Sequence, residues 1–357
     1  MRGSEELPDS PIAVDASYSV GRDLSGVGVY SQEMLRELAA LHPETPWKWL
    51  FRPHRVARGL GERLPRNITR GVLLDWSPWR SARLFHGLNQ RLPQKRFRLQ
   101  VATFHDLFVM TGEYSSPEFR KRFTEQARHA AREADRIIAV SEFTADQVVS
   151  LLGVDRTRVA VIPHGVRALP LVEGVHREKL VLHVGAIQKR KNLVRLVRAF
   201  EAMPEEWRMV LAGSSGYGAE EVFAAIERSK CRDRIEVTGY ASSEKLAQLY
   251  SRAMLFVFPS LDEGFGMPVL EAMAGGVPVI AANGSAVAEV AGEAAILVDP
   301  VDEGQISDAL RKAASEEEVR RKLISAGYRR AREFTWRRAA EQTWKVYREL
   351  LAGSADF

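Results

Sequence analysis

The sequence predicts an α/β protein built from two doubly wound parallel-sheet domains, and three observations predict it. Short apolar runs alternate with stretches of helical periodicity along most of the chain, the rhythm of parallel strands joined by crossover helices. At 357 residues the chain is longer than one hydrophobic core usually serves. The rhythm breaks once, in the irregular stretch 167–178 that follows Pro163-His164-Gly165.

The first half opens with the apolar run 11–16 (PIAVDA), which predicts a short buried strand. A glycine-containing turn, Ser25-Gly26-Val27-Gly28-Val29-Tyr30, leads from it into an amphipathic pattern over residues 30–38. Further strands are expected at 83–88, 101–104, 136–140 and 159–162, with helices at Pro117–Glu133 and Glu142–Leu152. The second half resumes at 180–184 and continues through strands at 209–212, 235–238, 255–258, 277–281 and Ala295–Val298, with helices between them. The domains are therefore expected at residues 1–170 and 171–335, followed by a terminal segment, 336–357, of helical periodicity. Ligands of such sheets bind beyond the carboxyl ends of the strands, so the loops there are the place to seek chemistry.

Composition narrows the function. Apolar residues make up 45% and charged residues 27%, the balance of a globular chain. No apolar run approaches the ~20 residues of a membrane helix, and the acidic start at Glu5-Glu6 lacks a secretory pattern, so the expected location is cytoplasmic. Cys231 is the one cysteine, which excludes an internal disulfide and a cysteine-based zinc site. The net charge of +5 is uneven, with 25 basic against 19 acidic residues up to residue 170 and 26 against 27 beyond it. Residues 48–98 hold 13 basic residues and two acids, Glu62 and Asp75, among or beside Trp47, Trp49, Phe51, Trp76, Trp79, Phe85 and Phe97. Arginine stems beside aromatics suit an anionic leaflet, which predicts peripheral association with the inner face of the cell membrane; a solvated basic face is the alternative. Nucleic acid is not an expected partner, because no nucleic-acid motif accompanies the charge.

The strongest local signal is Pro259-Ser260-Leu261-Asp262-Glu263-Gly264-Phe265-Gly266-Met267-Pro268-Val269-Leu270-Glu271. Glu263 falls in a loop after a strand, and Glu271 on a helix that Pro268 is placed to start. The backbone N–H groups of Gly266, Met267 and Val269 are predicted to face phosphate or sugar oxygens at that helix end, while Glu271 accepts from ribose hydroxyls. Upstream, Gly185-Ala186-Ile187-Gln188-Lys189-Arg190-Lys191 puts three cations in another loop after a strand. Arg190 suits two parallel bonds to phosphate oxygens and Lys191 adds a point charge, which together would replace a metal ion at a diphosphate. Gly26 and Gly28 form a turn through which backbone can approach an anion. His105 directly follows an apolar strand and is predicted to reach an interdomain cleft, with a structural role as the alternative; His164 reads as structural.

Together with Gly239-Tyr240, Glu289-Val290-Ala291-Gly292 and Phe334-Thr335-Trp336, these motifs resemble retaining glycosyltransferase family 4 over nearly the whole chain. Within it the chain is most similar to the mannosyltransferase-like branch that builds bacterial surface polysaccharides. The resemblance implies the GT-B fold, two Rossmann-like domains facing a cleft, with the terminal segment packing back on the first. It implies that Glu263 contacts the donor sugar, Glu271 the ribose, and Arg190 with Lys191 the diphosphate. Gly26 and Gly28 would close over the phosphates and His105 would lie beside the sugar; Gly185, Gly264 and Phe265 complete the donor-binding set. Family members often carry arginine where this chain has Ala186, so Arg190 is expected to bear more of that charge. The implied reaction moves a hexose, with GDP-mannose as the favoured donor, to a saccharide or lipid-linked acceptor, without a metal or other cofactor. The alternatives are a nucleotide-sugar epimerase, a non-catalytic sugar-nucleotide or polysaccharide-binding protein, and a two-carboxylate hydrolase.

Overall fold

The computed structural model describes residues 10–21, 24–59, 61, 64–76, 81–167, 169–170, 172 and 174–353. In chain order the elements begin β1 (Ile12–Asp15), α1 (Gly26–Leu41), β2 (Trp47–Phe51), α2 (Val56–Gly59), β3 (Ile68–Val72), β4 (Leu84–Gly87) and β5 (Leu99–Phe104). Next come α3 (Phe108–Thr111), α4 (Pro117–Glu133), β6 (Arg136–Ala139), α5 (Glu142–Leu152), β7 (Val159–Val161), β8 (Glu178–Val184), α6 (Leu193–Phe200) and β9 (Arg208–Ala212). Then follow α7 (Ala219–Arg228), β10 (Ile235–Gly239), α8 (Ser243–Arg252), β11 (Ala253–Phe258), α9 (Met267–Ala274), β12 (Val279–Ala282) and α10 (Ala286–Ala291). The chain closes with β13 (Ala295–Val298), α11 (Glu303–Ser315), α12 (Glu317–Arg332) and α13 (Trp336–Gly353).

Residues 1–107, 121–165 and 335–357 form one compact unit, and residues 108–120 and 166–334 form the other. The expected boundaries at 170/171 and 335/336 thus fall at 165/166 and 334/335. Residues 108–120, expected in the first domain, join the second unit instead, because Thr111 donates to Asp262 at 2.6 Å and Phe108 stacks on Arg190.

The first unit holds a seven-stranded parallel sheet in the order β3-β2-β1-β4-β5-β6-β7. Its centre is buried on both faces, as parallel sheets require: β1 (IAVD) and β4 (LFHG) are buried at every position. Strands β2 and β3 correct the reading of residues 48–98 as an aromatic membrane face. Trp47, Trp49, Phe51, Phe85 and Phe97 are all core residues, because aromatics favour strands and fill the space between sheet and helices. Of the others in or beside that stretch, Trp76 is 73% exposed; Trp79, like Glu62, lies outside the described residues. The terminal helix α13 belongs to this unit and packs along α1, with Trp344 stacked on His42 at 3.7 Å between ring centres.

The second unit carries a six-stranded parallel sheet ordered β10-β9-β8-β11-β12-β13. Leu196, Val197 and Phe200 of α6 pack with Val181, Leu211 and Val257 of the sheet, the one-sided burial expected of an amphipathic crossover helix. In both sheets the strand order reverses beside the first strand, at β1/β4 and at β8/β11, and such reversals open the crevice in which doubly wound sheets bind ligands. Among the described residues no helix is long and apolar enough to cross a membrane.

Candidate active site

The loops after β8 and β11 flank the reversal of the second sheet and are tied together. Leu261 N–H donates to the Arg190 carbonyl at 2.9 Å, and the Arg190 guanidinium donates to the Asp262 carbonyl. Asn192 donates from Nδ2 to the carbonyls of Pro259 (3.1 Å) and Pro300 (2.5 Å). Its backbone is left-handed, φ 59°, the one such non-glycine among the described residues; asparagine tolerates that region better than most residues. Gly213 packs against the same turn so closely that a Cβ there would lie 2.0 Å from the Gly185 carbonyl oxygen.

This scaffold joins three predicted residues. Glu263 pairs through Oε2 with Arg190 at 2.6 Å and through Oε1 with Lys191, all three being buried. Burial would raise the Glu263 pKa, but the two cations and their hydrogen bonds override it and hold it at about 2. Arg190 lies over the Phe108 ring at 4.1 Å and Lys191 over Phe258 at 4.6 Å, so both heads are held by aromatic faces as well as by the carboxylate. Beneath them His183 donates from Nδ1 to the Val257 carbonyl at 3.0 Å, and its Nε2 has no hydrogen-bond partner among the described residues. Burial and then the Lys191 charge lower the His183 pKa to about 4, so the ring is neutral at pH 7.

Glu271 stands in α9 with separate partners. Tyr250 donates to it at 3.1 Å and Arg167 approaches to 3.9 Å. Burial raises its pKa, opposed by Arg167 and Tyr250. Gly266 caps α9 with φ 102°, a conformation that excludes side chains, while Gly264 and Phe265 are buried in the same loop. The helix starts at Met267, one residue before Pro268. The expectation of a free N–H at Val269 is corrected, since that group donates to the Gly266 carbonyl at 3.0 Å.

The predicted residues of the first unit sit apart from this cluster in the chain. Gly26 and Gly28 form the first turn of α1 rather than an open loop, and the Gly28 N–H is taken by the Ser25 cap at 3.3 Å. His105 is a buried network residue: Nε2 donates to the Leu88 carbonyl at 2.8 Å, Nδ1 lies 3.2 Å from His164 Nε2, and Tyr30 stands edge-on. Burial lowers its pKa to about 4. Sequence reasoning gave no role to His183, Asn192, Gly213, Tyr250 or Arg167. Of these, only the run Lys191-Asn192 before a helix carried a local hint.

A profile described as "Glycosyl transferases group 1" matches residues 172–330, and one described as "Glycosyltransferase Family 4" matches residues 80–168. The O-antigen chain mannosyltransferase B of Escherichia coli is 31% identical over 284 residues, covering 75% of this chain and 74% of that protein. The chain belongs to glycosyltransferase family 4. Its similarity to named mannosyltransferases places it in the mannosyltransferase-like branch. The serotype-specific mannosyltransferase WbdA of Escherichia coli is 28% identical over 72% of the chain, which spans only 34% of that relative. Among solved structures, sucrose-phosphate synthase from Thermosynechococcus elongatus superposes with a TM-score of 0.77 at 21% identity, covering 96% of this chain and 100% of that one. WaaG, a glycosyltransferase of lipopolysaccharide biosynthesis, gives 0.69 at 14% identity, covering 94% and 99%. These likenesses show the GT-B fold of two Rossmann-like domains.

Proposed function

We propose that this family 4 glycosyltransferase moves a hexose, with retention of configuration, from a nucleotide diphosphate sugar to a hydroxyl of a saccharide or lipid-linked acceptor in surface polysaccharide synthesis. GDP-mannose is the proposed donor: the names of its relatives support mannose as the sugar, and GDP is carried over from the family resemblance. The observation that carries the reading is the buried Arg190–Lys191–Glu263 cluster at the strand-order reversal of the second sheet.

Two buried cations sharing one carboxylate form a ready diphosphate site. An incoming diphosphate offers more charge and a bidentate match for Arg190, so it displaces Glu263 from the pair. The freed carboxylate then accepts from sugar hydroxyls. As the glycosidic bond breaks, negative charge grows on the departing diphosphate and the two cations stabilise it, without requiring a metal. The acceptor hydroxyl attacks from the face the leaving group vacates, and a leaving-group oxygen takes its proton. Glu271, hydrogen-bonded by Tyr250, is placed to accept from a ribose hydroxyl. A two-carboxylate hydrolase needs both groups free to flank one glycosidic bond, whereas Glu263 is tied into the Arg190–Lys191 cluster and Glu271 has separate partners in Tyr250 and Arg167.

Cytoplasmic placement at an anionic leaflet is part of the proposal. With the aromatics of 48–98 mostly in the core, it rests on exposed Arg58, Arg66, Lys95, Arg96 and Arg98 with Trp76. Failure to float with anionic vesicles at low salt removes it.

The testing experiment is a thermal-shift panel of GDP, UDP, ADP and TDP on the wild type and on Lys191→Met, with and without EDTA. A shift with GDP that survives EDTA and disappears in Lys191→Met supports metal-free diphosphate binding. No shift with any nucleotide, or one that needs added metal, overturns it.

A further inference from the structure

We propose that the first unit carries a second ligand site, a pocket that binds a hexose residue of an uncharged glycan. It is a cavity of about 250 Å³ lined by α4 and by the segments that follow β3 and β4. That size suits one sugar ring and lies below the about 300–1,000 Å³ of pockets that enclose drug-sized ligands.

Helix α4 presents Arg122, Glu125, Gln126 and His129 to the cavity, spaced i, i+3, i+4 and i+7 and therefore on one helical face. Its opposite face buries Phe123, Ala127 and Ala130. Opposite α4 stand Asp75 after β3 and Arg91 and Gln94 after β4. The walls are fixed to one another. Lys95 N–H donates to the Asp75 carbonyl at 2.8 Å, and buried Arg52 pairs with Asp75 at 3.1 Å while donating to the Arg91 carbonyl at 3.3 Å. His129 donates from Nε2 to the Pro93 carbonyl at 3.0 Å. The β4 loop that supplies Arg91 and Gln94 begins at Leu88, whose carbonyl His105 holds, so His105 is a positioning residue for this wall.

Chemistry chooses the ligand. Carboxylates, carboxamides and guanidinium groups are planar and offer paired donors or acceptors, which match vicinal hydroxyls. The charges of Arg52, Arg91 and Arg122 are matched in number by Asp15, Asp75 and Glu125, so the pocket with its supporting wall has no surplus for a free phosphate. One wall is the segment that leaves β4, one of the two strands at the strand-order reversal of this sheet. As an acceptor subsite the pocket rests on the transferase reading; as a sugar site it does not.

The test is saturation-transfer NMR on the full chain without nucleotide, using α-1,3-mannobiose and, separately, inorganic phosphate as probes. Wild type and the double variant Glu125→Ala/Gln126→Ala are compared, with Glu125→Gln as a milder second variant should the first melt early. Mannobiose is expected to bind wild type and to bind the double variant at least tenfold more weakly, with no displacement by phosphate. Equal binding by wild type and both variants overturns the proposal, as does displacement of the sugar by millimolar phosphate, which marks an anion site. Absence of transfer activity in the wild type alongside variant-sensitive sugar binding refutes the transferase reading and leaves this one standing.

Discussion

Acid should loosen the first unit well before the second, because three buried histidines lie in it. His86 is fully buried between two hydroxyls, with Nδ1 2.5 Å from Tyr347 and Nε2 2.9 Å from Thr103, whose hydroxyl lies 3.2 Å from that of Tyr30. The chain of contacts joins α1, β5, β4 and α13. Burial, helped by His105, lowers the His86 pKa to about 3; burial lowers His105 to about 4 and His164 well below its ordinary value. In each case the unfolded chain takes up the proton first, near pH 6.5. Stability is therefore full above that pH and is lost as pH falls toward the folded values, at about 1.4 kcal/mol per unit for each histidine. At pH 5.5 His86 and His105 together cost about 3 kcal/mol, with His164 adding in the same direction, against a total of roughly 5–15 kcal/mol for a domain. The second unit has only His183 of this kind, and Glu271, whose raised pKa acts oppositely. Urea unfolding followed by tryptophan fluorescence separates the units, since six of the seven tryptophans fall in the first unit's span and only Trp207 in the second's. The fluorescence midpoint should drop sharply between pH 7.5 and 5.5, and His86→Gln should flatten the slope. A midpoint unchanged over that range refutes the reasoning.

Three further outcomes follow from the donor loops and the terminal helix. Asn192→Ala should destabilise more than Asn192→Gly by about 1 kcal/mol in urea titrations, because both lose the bonds to Pro259 and Pro300 but only alanine is strained at φ 59°. Gly213→Ala forces the Gly185 carbonyl away, so calorimetry should find nucleotide binding weakened at least tenfold while far-UV circular dichroism is retained. Gly165→Ala puts a Cβ 2.3 Å from the Trp336 backbone nitrogen and should cost about 1–3 kcal/mol; an unchanged melting temperature would show that α13 yields freely.

The fold was legible because parallel strands buried on both faces read as short apolar runs, and α4 and α5 coincide with the periodicity of their sequences. What failed was the stretch containing β2 and β3. Its sequence alternates aromatics with Lys48 and arginines, a pattern that fits an amphipathic surface as well as a strand whose aromatic side chains are buried. Only the sheet pairing of Trp47 with Ile12 and Ile68 decides between them. The candidate site was legible in its charged residues, since Glu263, Arg190 and Lys191 stand beside strand ends and glycines and the structure brings the three together. Its supports were not. Asn192, Gly213 and Tyr250 act through partners distant in sequence, Asn192 reaching Pro300 across 108 positions, and no local pattern announces such contacts.

The most direct measurement is transfer itself: purified protein, GDP-α-mannose and a mannose-terminated oligosaccharide, with the anomeric centre of the product read by the one-bond carbon–hydrogen coupling in NMR. The account predicts an α-mannoside, formed in the presence of EDTA by the wild type and lost by at least a hundredfold in Glu263→Ala. A β-linked product, or undiminished transfer by Glu263→Ala, would contradict it.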